Sequence, residues 1–249
     1  MARRDFQLGS FFTFGGRVPA SVGMLLALML VGSVLGSVQP EVRGLAVLAP
    51  ELVKRGEIWR LVTWALVQDD VFTLIFVGFM VWTLGQQLSY AWSERRFILR
   101  FLSYTLGAGV GTTLLSVVFE SASLPHLGAW PVVNALIVAW AMLFPDRQVN
   151  IWGILPVTGR TLALLVLGGT LLAVVMVGGL KGFGGFAPHL VALGIAWFQS
   201  RGLFGRRFGH QARQWWAERD AKRRAKARAK HLKVVRRDGE DEDRPRWLN

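Results

Sequence analysis

Cysteine is absent from the chain, which excludes a disulfide framework, a thiol nucleophile and any Cys-ligated zinc or iron–sulfur centre. Acidic residues are scarce: 16 Asp and Glu stand against 29 Lys and Arg, a formal charge of +13. No paired carboxylates fall within the long uncharged stretches, which argues against a proton-coupled transporter. The Gly-rich run GGLKGFGGF, Gly178 to Phe186, lacks the Lys-Ser or Lys-Thr end of a phosphate loop and reads as a connecting loop. Nothing in the sequence calls for a metal or a cofactor.

Apolar residues dominate what is present. They make up 52% of the chain, with 28 Gly and 11 Trp, and they come in blocks near twenty long rather than in short amphipathic runs. That pattern predicts a polytopic all-α membrane protein. Six stretches are long enough to cross about 30 Å of hydrocarbon at 1.5 Å per residue: Pro19 to Gln39, Val71 to Trp92, Phe97 to Phe119, Gly128 to Phe144, Thr161 to Leu180 and Phe183 to Gln199. The fourth and sixth are short and punctuated by Pro131 and Pro188. Arg100 falls near the start of the third, where its aliphatic stem can snorkel to the interface. Gly107 and Gly111 give the same span a small-residue face suited to close helix packing.

Three segments flank or interrupt these spans. Residues 1–18 are basic but lead into the first apolar run through a long polar and aromatic stretch, unlike an ordinary signal peptide, and read as a cytoplasmic N-terminal segment. Pro40 to Asp70, containing GEIWRLVTWALVQDD, is too apolar for a solvated linker and too charged for a span, so it reads as an interfacial helical hairpin anchored by Trp59 and Arg60. Residues 201–249 hold 16 of the 29 Lys and Arg, and Gln211 to Val235 has the composition of one basic helix. This tail is expected at anionic lipid headgroups, at about 1 kcal/mol per basic residue near the surface, with a cytosolic protein as a further partner. Basic composition after a last span is what orientation demands, which argues against nucleic acid. With Arg3, Arg4, Arg17, Arg95, Arg96, Arg147 and Arg160, it puts both termini in the cytoplasm, the membrane being the plasma membrane or, in a bacterium, the inner membrane.

Four pieces in order resemble the rhomboid superfamily of intramembrane serine proteases and their inactive relatives: GEIWRLVT (Gly56 to Thr63), LGQQLSYAWSERRF (Leu84 to Phe97), LGAWPVVNALIVAWAMLFPDRQVNIWGILPV, and FAPHLVALGIAW (Phe186 to Trp197). The resemblance runs from about Gly56 to Phe198. It implies a six-helix rhomboid-like bundle over residues 19–200, with an interfacial hairpin after the first span. It also implies a short fourth helix and a sixth span bearing His189 as the family's base. The departures bear on function. Where active rhomboids open the short helix with Gly-x-Ser-Gly, this chain has Gly128, Ala129, Trp130 and Pro131. Thr73 and Val77 stand where the family places its oxyanion His and Asn, Ser89 where it places a Glu, and Ala192 and Ala196 where it places glycines.

Acyl transfer needs a nucleophile within about 3 Å of its base and donors aimed at the developing oxyanion. An indole has only an N–H donor and cannot attack a carbonyl. The resemblance therefore implies a pseudoprotease rather than an enzyme, one that binds transmembrane clients for trafficking or quality control. Residues 130 and 134 share a helix face, so Asn134, or a water, is expected to satisfy His189 while the Trp130 ring fills the substrate volume. Pro131 in the first turn forfeits no helical hydrogen bond. Two alternatives remain: an active intramembrane peptidase with a displaced nucleophile such as Ser89 or Ser116, and a structural subunit of a membrane assembly.

Overall fold

A computed structural model describes residues 18–151 and 155–201. The N-terminal segment and nearly all of the basic tail lie outside the described residues. Among the described residues, four helices are long and apolar enough to cross a membrane: α1 (Ala20–Val38), α5 (Val71–Trp92), α6 (Glu94–Leu115) and α8 (Gly159–Met176). Between α1 and α5 the chain forms three short helices, α2 (Pro40–Ala46), α3 (Pro50–Lys54) and α4 (Arg60–Thr63). A 3-10 turn at Glu120–Ser123 precedes α7 (Trp130–Leu143), and α9 (Leu180–Gly185) precedes a further helix, α10, over residues 187–201.

The expected fourth span is the most changed element. α7 has 14 residues, about 21 Å at 1.5 Å per residue, short of the hydrocarbon thickness. Its length is tolerated because protein, not lipid, surrounds it: from Pro131 to Leu143 all but Asn134 and Met142 are buried. A helix apolar on every side and enclosed on every side is a core element. α5, α6 and α8 pack around it. Trp140, fully buried, donates its Nε1–H to Gln87 Oε1 on α5 at 3.0 Å.

The loop expected as one helical hairpin is instead three separate turns, because Pro40 and Pro50 each open a helix at its first turn and a proline there loses no hydrogen bond. Leu155 and Pro156 of the ILP stretch belong to a two-stranded antiparallel sheet, β1 (Gln148–Ile151) with β2 (Leu155–Thr158), Val149 paired with Val157, so the fold is not purely helical. Thr158 then caps α8, accepting from Thr161 N–H at 3.3 Å. The Gly-rich run expected as loop contains α9, and the sixth expected span begins only after the break at Phe186. Pro188 sits in the first turn of α10 and starts that helix rather than interrupting it.

Small residues set the helix spacing. A Cβ on Gly107 would strike Ile195, and one on Gly111 would lie 2.6 Å from Val191 Cγ1, so the small face of α6 receives α10, whose Ala192 and Ala196 are fully buried. Gly36 on α1 likewise brings Val67 of the loop within 3.0 Å of where a Cβ would be. Ser93, between α5 and α6, has φ 86° and ψ 152°, a region that side chains rarely enter and that stores roughly 1–3 kcal/mol. Ser93→Gly should therefore stabilise the detergent-solubilised protein by about 1 kcal/mol after the entropic cost of glycine is deducted. Thermal unfolding checks this, and a lowered midpoint would contradict the strain.

Candidate functional site

The site is assembled where the loop before α5 meets the start of α7. Gln68 is 2% exposed, and its backbone N–H and both ends of its side-chain amide are hydrogen-bonded. Its backbone N–H donates to Ser33 Oγ on α1 at 3.0 Å, its Nε2 donates to the Ala65 carbonyl at 3.1 Å, and its Oε1 accepts from Ala129 N–H at 3.0 Å. Alongside, Gly128 N–H donates to the Trp64 carbonyl at 2.9 Å. Gly128 takes φ +96°, which glycine reaches without a Cβ clash. Ala129 has no side chain with which to cap α7, and Gln68 supplies an acceptor at that point from the loop.

Trp130 follows immediately. Its ring lies on Phe76 of α5, centroids 5.2 Å apart and planes tilted by 33°, and 37% of the residue remains exposed. It is not the enclosed plug expected from the sequence; it stands at the edge of α5, because α7 is entered from the Gln68 side and its first residue is turned outward. Asn134 is half-buried.

His189 lies in the first turn of α10, its ring 5.3 Å from that of Phe186. Its Nδ1 is buried without a hydrogen-bond partner, so Asn134 does not satisfy it as expected. The other imidazole near it is that of His126, which the sequence reading did not single out. His126 is held by paired backbone hydrogen bonds with Leu48, 2.9 Å in each direction. Its own Nε2 is also buried without a partner, and burial pushes its imidazole down to about 4.

Thr73 donates its hydroxyl to Asp70 Oδ2 at 2.6 Å and its N–H to Asp70 Oδ1 at 2.9 Å, capping α5. These bonds hold the Asp70 carboxyl below the usual carboxylate range and commit the Thr73 hydroxyl. Val77 is a fully buried aliphatic core residue. Ser89 is buried near the far end of α5, thirteen residues beyond Phe76 and so about 20 Å along the helix. Ser116 gives its proton to the Thr113 carbonyl at 2.7 Å. Among the described residues no group of three His, Asp or Glu side chains gathers to hold a metal ion.

In the loop, Trp59 is exposed as an anchor should be, but Arg60 is only 4% exposed. Its guanidinium turns inward to Glu57 Oε2 at 2.7 Å and to the Gly44 and Val47 carbonyls at 2.5 and 2.9 Å. Arg60 therefore clips α2 to α4 instead of reaching for headgroups: the carbonyls at the end of α2 lack helical partners and a planar five-donor group serves them well.

Gln68→Leu keeps the volume of the side chain and removes the acceptor. It should lower stability by roughly 1–3 kcal/mol, the cost of leaving a buried N–H unpaired, measured by thermal unfolding in detergent. His126 supplies a pH dependence. Because its folded pKa lies below the usual 6.5, the unfolded chain binds the extra proton first, and stability falls as pH drops from about 6.5 toward 4. His126→Gln should flatten that part of the stability profile, and an unchanged profile would show that His126 is not the titrating group.

No curated protein matches the chain. The family described as "Eukaryotic integral membrane protein (DUF1751)" matches residues 21–201, a stretch that runs from the first turn of α1 to the end of α10 and takes in every residue of the site. With several apolar helices through that same stretch, the chain is a multi-pass integral membrane protein and belongs to the DUF1751 family of integral membrane proteins.

Proposed function

We propose that this protein is a rhomboid-like pseudoprotease that holds transmembrane segments of other proteins, in trafficking or quality control, without cutting them. The observation that carries this reading is the start of α7, where Gly128, Ala129, Trp130 and Pro131 occupy the place at which active rhomboids carry Gly-x-Ser-Gly. His189 then has no nucleophile to activate. In this reading α7 and α10 join the four longer helices as the fifth and sixth membrane elements. The loop helices α2–α4 lie at the interface with Trp59 toward the headgroups, both termini face the cytoplasm, and the basic tail adds contacts with anionic lipid and a cytosolic partner.

A surface for a client is offered at the start of α7. Trp130 and Phe76, both more than a third exposed, form an aromatic pair at the edge of α5. Aromatic side chains offer a large contact area with few torsions to immobilise, which suits a surface that holds helices of differing sequence.

The test uses the full chain reconstituted in vesicles with a single-span transmembrane peptide and a photocrosslinking residue at position 130, or at the exposed Leu99 of α6 as control. The peptide should crosslink from position 130, more than from Leu99, and stay intact. Trp130→Ser should leave it intact as well, because the Thr73 hydroxyl is committed to Asp70 and Val77 is aliphatic, so no donor awaits an oxyanion. Crosslinking equal at the two positions, or cleavage that depends on His189, would overturn the proposal.

A further inference from the structure

The turn from α5 into α6 carries a cation without an anion. The Arg100 guanidinium stacks on the Trp92 ring, 3.9 Å from its centroid, and among the described residues Arg100 makes no ion pair. The carboxylate nearest in sequence, Glu94, is engaged elsewhere, its Oε2 accepting Ser21 N–H at 2.9 Å. Arg96 adds like charge. A half-buried, uncompensated guanidinium at the end of a membrane helix is costly and calls for a counter-charge.

The donors left over describe that counter-charge. Arg100 Nη1, Trp92 Nε1 and the Tyr104 hydroxyl are each buried with no hydrogen-bond partner. Tyr104, one turn beyond Arg100 on α6, faces the guanidinium without meeting hydrogen-bond geometry. Arg100 as a whole is only partly buried. Three side chains thus offer unmet donors beside one fixed positive charge. A carboxylate has two oxygens to share among them, whereas a phosphate has more and matches the planar guanidinium in bidentate fashion. Helix ends lie at headgroup depth, and Arg95, Arg96 and the exposed Arg201 at the end of α10 add positive charge there.

We propose that Arg100, Trp92 and Tyr104 form a phosphate-binding site at the basic end of the helix bundle. The guanidinium supplies charge and a two-point contact, the indole supplies the platform and its N–H, and Tyr104 closes the inner side.

Binding is measured on the full-length protein in a neutral detergent, by the rise in unfolding midpoint during titration with short-chain phosphatidate or with inorganic phosphate. One of these probes should stabilise the wild type saturably. R100Q should weaken that response at least about tenfold, and R100K and W92F about threefold or more, the loss expected for a charge-assisted or a neutral hydrogen bond. Tail binding is the same in every variant and cancels from the comparison. Saturation by phosphatidate alone assigns the site to a lipid headgroup, and saturation by inorganic phosphate assigns it to a soluble phosphate. No stabilisation by either probe, or unchanged affinity in R100Q, overturns the proposal. Were R100Q to misfold, unchanged affinity in both R100K and W92F would do the same.

Discussion

One side chain, Gln68, determines where the central helix begins. A helix start buried among other helices presents N–H groups that water cannot reach, and α7 has neither a capping side chain at Ala129 nor solvent there. Gln68 meets that need from the loop, while its own backbone N–H is held by Ser33 on α1. The first span, the interfacial loop and the core helix are joined through that one amide. The outward turn of Trp130 at the start of α7 follows from it. The Trp140–Gln87 bond fixes the same helix nearer its other end, so α7 is pinned by a glutamine on either side.

In the proposed reading, the chemistry at the start of this pinned helix separates a helix-binding surface from a proteolytic site. Here the helix opens with an indole resting on Phe76, while the Thr73 hydroxyl caps α5 and the Ser116 hydroxyl bonds back into α6. The two imidazoles near this end, His126 and His189, each keep a buried ring nitrogen unpaired. In the proposed reading, His189 without a hydroxyl beside it is the remnant of a base rather than a working one.

Much of this was legible from the sequence, and the failures have a common cause. Hydropathy alone gives α5 its bounds, Val71–Trp92, because lipid-facing length is a local property. The small face of Gly107 and Gly111 likewise identified a helix contact, which α10 fills. The misjudged features depend on partners distant in the chain. Arg60 beside Trp59 reads as a headgroup anchor until Gly44 and Val47 are seen to present carbonyls to it. Gln68 sits in an unremarkable VQDD, and His126 in a loop, so neither carries a local signal. Arg100 reads as a snorkelling residue because its stacking on Trp92 and the engagement of Glu94 by Ser21 appear only after folding. Trp130 was identified, but its direction was not, since that is set by how Gln68 seats the helix.

The central claim is that the imidazole of His189 has no hydroxyl poised for covalent chemistry. Exposure of the membrane-embedded full-length chain to a serine-directed fluorophosphonate, followed by mass spectrometry of the intact protein, tests that claim most directly. The account predicts no adduct in the wild type and none in His189→Ala. A stoichiometric adduct on Ser116, Ser89 or any other serine that disappears in His189→Ala would contradict it.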